Sequence, residues 1–218
     1  MDLSPLTRAC QRTAGPPLRI LDGLEVAPGR LHEICGPSRQ LLALLVAAKV
    51  AGPVIWISPG WATDRLNPEG MVAMAGPERF LFVTPAQPID LLWTLEETLR
   101  SGAVALAVAE LPDPPGLTPV RRLHLAAESG GTSGHGAPLG LILTPGDGGA
   151  PGVESRWHIA PRHKSGGHRA WAVSRRRARA LPAAEWTLHR RAGHFGLSSH
   201  ASDPVEGHAY PAQGVTSA

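Results

Sequence analysis

The chain has 218 residues, 43% of them hydrophobic and 18% charged, with two cysteines and a formal net charge of +3. That length can bury one substantial core, and the apolar runs fall far short of the roughly 20 residues a membrane-spanning helix requires, so a soluble protein is expected. Cys10 and Cys35 lie in dissimilar segments and do not suggest a disulfide framework, and Met1-Asp2-Leu3-Ser4-Pro5 lacks the features of a secretory signal; cytoplasmic residence is the expectation.

From residue 18 onward the chain alternates strand-like and helix-like segments, the rhythm of an α/β fold. Residues 31–35 read as a short strand, followed by a helix that Ser38 can cap and that Leu41, Leu42, Leu44, Leu45 and Val46 make apolar over much of its circumference. The run 54–57, bounded by Gly-Pro and Pro-Gly, suits a strand covered on both faces. Asn67-Pro68-Glu69 has the order of cap, first-turn proline and first-turn acid, and opens a short helix. Residues 80–83 form the next strand. Residues 88–100 are an amphipathic helix with Ile89, Leu92, Trp93, Leu95 and Leu99 mostly on one side, ended by Gly102. A fully apolar strand over 103–109 closes on Glu110, Thr118-Pro119 caps a helix reaching Glu128, and 139–143 adds a strand after a Gly/Ser/His loop. The pattern predicts a doubly wound, mostly parallel sheet of about five strands.

From about residue 151 the pattern changes. Residues 155–160, 169–175 and 185–189 alternate, each with a tryptophan on one face, and are expected to form an antiparallel β extension to the sheet. Trp157, Trp171 and Trp186 read as core residues, with stacking platforms for single-stranded nucleic acid as the competing reading. Residues 1–17 read as a flexible leader, 18–191 as the folded domain with its α/β core reaching about 150, and 192–218 as a disordered tail. The charge follows this division: residues 1–150 carry 11 basic against 14 acidic side chains, residues 151–218 carry 10 against 4. A polyanion or acidic protein partner for the C-terminal part and a plain solvated face both account for that imbalance. Its centre is Arg175-Arg176-Arg177-Ala178-Arg179, a candidate contact for phosphates or for an acidic partner, and also readable as a solvated turn.

The candidate site with a recognisable layout is the strand, loop and helix of residues 30–49. A phosphate-binding loop spells G-x-x-x-x-G-K-[ST], because its glycines let backbone N–H groups surround the phosphates while the lysine and hydroxyl hold phosphate and Mg²⁺. Gly36-Pro37-Ser38-Arg39-Gln40 runs into the helix without the second glycine, the lysine or the paired hydroxyl. No residue set for positioning Mg²⁺ and an attacking water is visible, so no catalytic residue and no cofactor is assigned. Cys35 reads as a small buried apolar residue. The spaced histidines His158, His163 and His168, and His194, His200 and His208, lack the partners and spacing of a specific metal site.

The run from Ile20 to Pro37, with its Pro-Gly-Arg turn and strand ending Glu-Ile-Cys-Gly-Pro, resembles the approach to the nucleotide loop in the RecA recombinase family. Arg100-Ser-Gly-Ala-Val104 and the strand after it resemble the segment that carries that family's magnesium-associated Walker B acid, with Glu110 where the family places Asp. Within the superfamily the chain is most similar to ImuA, the RecA-like accessory of bacterial mutagenic translesion synthesis. Leu31-His-Glu-Ile34, Gly52-Pro-Val-Ile-Trp-Ile57, Leu92-Trp-Thr-Leu-Glu-Glu-Thr-Leu99, Arg121-Arg-Leu-His-Leu-Ala-Ala-Glu128, the strand bearing Arg156-Trp157-His158 and the strand at Glu185 carry that resemblance, over about residues 18–191. It implies a non-catalytic, SOS-induced role in DNA-damage tolerance beside an ImuB-like relative of Y-family polymerases and an error-prone C-family polymerase. RecA and sequence-independent DNA contact stay open as further partners, and a RecA-type ATPase with an atypical short loop stays open as the alternative. The departure from RecA is the loop, shorter by the piece that includes Gly-Lys-Thr, which leaves Glu110 as a strand-end acid with no metal–phosphate site to serve.

Overall fold

The computed structural model describes residues 15–132, 136–162 and 169–199. A hairpin of β1 (Leu18–Leu21) and β2 (Leu24–Val26) leads into β3 (Leu31–Cys35), α1 (Arg39–Ala47), β4 (Val54–Ile57), α2 (Pro68–Val72), β5 (Phe80–Val83) and α3 (Pro88–Ser101). Then come β6 (Leu106–Glu110), α4 (Leu117–Gly130), β7 (Leu139–Thr144), β8 (Ser155–Pro161), β9 (Arg169–Ala178), β10 (Ala184–Arg191) and β11 (His194–Ser199). Among the described residues nine strands make one sheet in the order β11-β10-β9-β8-β3-β7-β6-β4-β5. The six from β8 to β5 run parallel, and β9, β10 and β11 continue the sheet antiparallel. The fold is therefore α/β with a mixed, mostly parallel sheet.

Every residue of β3, β6 and β7 is buried, as their position at the centre of a sheet covered on both faces demands. On one face α1 sets Leu42 and Val46 against Ile34, Trp56, Leu141, Leu143 and Trp157. On the other, α3 and α4 set Leu91, Leu95, Leu99, Val120 and Leu123 against Leu31, Ala107, Ala109 and Ile142. Each fully buried leucine contributes about 1.5–3 kcal/mol by removal from water. Helix α3 ends where Gly102 takes φ +63° and its N–H reaches the Leu99 carbonyl, a left-handed cap that glycine adopts without a side-chain clash.

The structure corrects several expectations. Ile89 and Trp93 are 78% and 59% exposed, because the row Leu91, Leu95 and Leu99 faces the sheet instead. Ser38 stands at the start of α1 but makes no side-chain capping bond, and α4 begins at Leu117 after Gly116, so Thr118 is inside it. Asn67 does cap α2, its side-chain oxygen accepting from the Glu69 N–H at 3.0 Å. The strand at 155–161 belongs to the parallel set: β8 pairs parallel with β3, and the antiparallel extension starts one strand later, at β9. No helix intervenes between β7 and β8; residues 145–154 cross from one side of β3 to the other unaided. Residues 194–199, expected in the disordered tail, form β11. A two-residue turn of Ala192 (φ 47°) and Gly193 (φ 84°) folds it onto β10, and left-handed values at both positions match the twist of a tight hairpin. Residues 1–14 of the leader and 200–218 of the tail lie outside the described residues.

Candidate functional site

The loop after β3 is built around Gly36. Its φ is +93°, and a Cβ there would lie 2.4 Å from the Ile159 carbonyl oxygen and 2.9 Å from His158 Nε2, so only glycine lets β8 approach. That approach determines what the loop amides do. The Ser38 N–H donates to the Ile159 carbonyl at 3.2 Å, and the Arg39 N–H donates to the Gly36 carbonyl at 3.3 Å. In a phosphate cradle such groups would face the anion; here they face the protein's own carbonyls. The Arg39 guanidinium bends back to the Gly36 carbonyl at 3.4 Å.

Glu110, at the end of β6, is 9% exposed and engaged from two sides. The Trp56 indole N–H donates to its Oε1 at 2.7 Å, and the Gln40 amide lies 3.3 and 3.1 Å from its two oxygens. Gln40, the second residue of α1, and the Walker B-like acid are thus joined directly, where a metal and phosphates would need to intervene. A cleft of about 360 Å³ beside them is lined by Arg39, Gln40, Trp61, Asp64 and Glu110 among others. Pro37 is exposed on its rim, and the Arg39 Nε is buried with no partner. Among the described residues no group of three or more His, Cys, Asp or Glu side chains is placed to hold a metal ion. His163, His168, His200 and His208 lie outside the described residues, and His158 is 3.8 Å from Asp147.

A second carboxylate, not singled out in the sequence, anchors the crossing between β7 and β8. Glu33 is fully buried; its carboxylate accepts from Thr144 Oγ1 at 2.8 Å, from the Gly149 N–H at 2.9 Å and from the Ala150 N–H, and it pairs with Arg156. Arg156 in turn donates to the Ala150 carbonyl at 2.8 Å. The signal in the sequence was an acid inside an apolar strand, and the register sets Glu33 directly across from Arg156. On the opposite face His32 is buried between Ser155 Oγ (2.7 Å) and the Ala27 carbonyl (3.0 Å), and burial lowers its pKa to about 4. Cys35 is a free, buried thiol whose pKa burial raises to about 11, which leaves it protonated and unreactive.

The arginine run divides in three. Arg175, expected as a contact, is 8% exposed: its guanidinium lies 5.6 Å from the ring centre of Trp157 and 5.2 Å from that of Trp186, and its Nε donates to the Pro182 carbonyl. It is a packing residue, stacked on two aromatic faces. Trp157 and Trp171 are themselves buried, so neither offers a face to a base. Arg176 pairs with Asp147 at 2.8 Å. Arg177 and Arg179 instead line a cleft of about 750 Å³ between the end of β9 and helix α4.

No family model matches the chain, and no curated protein matches it.

Proposed function

We propose that the chain is a non-catalytic, RecA-like accessory protein of SOS-induced mutagenic translesion synthesis, a member of the ImuA group that bridges an ImuB-like protein and an error-prone C-family polymerase. The observation that carries this reading is the loop Gly36 to Gln40: Ser38 and Arg39 spend their amides on protein carbonyls, and Gln40 and Trp56 occupy Glu110. A triphosphate with Mg²⁺ would have to displace all of these interactions, and the loop offers no lysine in exchange. The sheet order, consistent with a RecA-like layout, supports descent from a nucleotide-binding scaffold kept for docking. RecA and sequence-independent DNA contacts belong to the same proposal as further partners.

Isothermal titration calorimetry with ATP and Mg²⁺, run beside a phosphate-release assay, tests the reading; no heat and no turnover are expected. Pull-down from DNA-damaged cells should recover the polymerase relatives. The competing reading, an ATPase with a short loop, draws on the unpartnered Arg39 Nε beside the 360 Å³ cleft. ATP turnover that disappears in Arg39→Ala would establish it and remove the accessory reading.

A further inference from the structure

Helix α4 turns one stripe toward the cleft it shares with β9. Leu117, Arg121 and Leu125 recur at intervals of four, and Leu117 and Leu125 are 41% and 63% exposed. The opposite wall is the end of β9 with Arg177 and Arg179. Arg121, Arg177 and Arg179 have no ion pair and no side-chain hydrogen bond among the described residues. Arg30, by contrast, is taken up at the base of the cleft by Glu128 and Glu154. His124 fixes this base: its Nδ1 accepts from the Leu31 N–H at 3.3 Å and its Nε2 donates to the Gly152 carbonyl at 3.1 Å, and burial keeps it in the neutral form that this pairing needs. The walls are thus held in place while three guanidinium groups and two leucines stay available.

We infer that this cleft docks an acidic, amphipathic peptide segment of a partner protein, its leucine-like side chains seated on Leu117 and Leu125 and its carboxylates on Arg121, Arg177 and Arg179. The inference rests on the accessory reading and names the chemistry of the partner segment it would hold. Charge complementarity selects an acidic occupant, and planar guanidinium groups suit carboxylates through paired hydrogen bonds. Two features select peptide over nucleic acid. No Trp, Tyr or Phe ring lines the cleft to stack a base, the His124 imidazole at its base is held through both ring nitrogens, and Glu128 and Glu154 share the cleft, which penalises a phosphodiester strand charged at every step more than a peptide that can leave those places neutral. The exposed leucines supply apolar anchorage, which a phosphate backbone would not use.

Fluorescence anisotropy of the full chain with a fluorescein-labelled synthetic peptide of repeat Asp-Leu-Glu-Glu-Leu tests this, with labelled oligo-dT as the second probe. Binding of the peptide should weaken as salt rises from roughly 50 to 500 mM. The triple variant Arg121→Glu, Arg177→Glu, Arg179→Glu should lose about tenfold or more in affinity, Leu125→Ser severalfold, and Arg19→Glu, outside the cleft, nothing. All these side chains are exposed, and unchanged melting temperatures verify that the variants fold. Absence of peptide binding at about 1 mM, undiminished binding by the triple variant, or oligo-dT binding tighter than the peptide and lost in that variant would each overturn the inference. A chain that ignores the peptide and is inert to ATP leaves the accessory reading standing; a chain that turns over ATP yet holds the peptide does the reverse.

Discussion

The loop after β3 and the cleft along α4 differ in what their polar groups are doing. In the loop the amides of Ser38 and Arg39, the Gln40 amide and the Glu110 carboxylate are all engaged with one another or with neighbouring strands. In the cleft, three exposed guanidinium groups have no partner among the described residues and lie beside two exposed leucines. Binding free energy comes from groups that gain more from a ligand than they lose from the protein. By that measure the loop after β3 is closed, and the groups free to gain from a ligand lie in the cleft along α4.

Substitutions sharpen this contrast, since engaged groups should carry stability and available ones should not. The largest effect is expected from Glu33→Ala, which strips four donors including Arg156 of a buried acceptor; chemical denaturation should show a loss of about 3–5 kcal/mol. Next comes pH. His32 has a pKa near 4 when folded against 6.5 when unfolded, so above pH 6.5 both states are neutral and no penalty exists. As pH falls from 6.5 to 4 only the unfolded chain takes the proton, and stability should drop by on the order of 3 kcal/mol, then level off; His32→Gln should flatten that part of a urea-midpoint profile. Trp56→Phe keeps the ring in the core but withdraws the indole donor from Glu110, and is expected to cost about 1.5–3 kcal/mol, read as a shifted denaturation midpoint. The smallest effect belongs to the cleft: Arg177→Ala and Arg179→Ala should each stay within about 0.5 kcal/mol of the parent. A large loss of stability from either would show that these groups are engaged after all, and would erase the distinction.

Much of the architecture was readable from composition and period. The apolar runs at 54–57 and 139–144 are strands because a central strand covered on both faces needs no alternation, whereas the equally apolar run at 80–83 is the strand at the sheet's edge, with Leu81 and Phe82 exposed. Asn67-Pro68-Glu69 opened a helix as its chemistry predicts. What escaped was set by distant contacts. His194-Phe-Gly-Leu-Ser-Ser199 is too polar to read as a strand, and it becomes one because β10 presents a free edge and an Ala-Gly turn delivers it there. Periodicity gave α3 an apolar side, yet Leu91 rather than Ile89 faces the core, since six large apolar residues spread over the helix permit more than one rotation. At the site, the missing lysine was legible; the engagement of Gln40 with Glu110, 70 positions on, was not. Arg175 looked like its neighbours in the run, and only the register against Trp157 and Trp186 separates it from them.

The connection from β7 to β8 has a geometric outcome beyond its own hydrogen bonds. Parallel neighbours in such sheets are usually joined through a helix that roofs the strands it links. Residues 145–154 make the passage as bare chain, so among the described residues no helix covers the sheet beyond α4 on that side. On that side Arg177 and Arg179 line the cleft together with Leu125. A ten-residue connection without a helix leaves that flank to bare chain, and Glu33 fastens it down through Gly149 and Ala150, so the wall that Gly152, Val153 and Glu154 give the cleft is tied to the centre of the sheet.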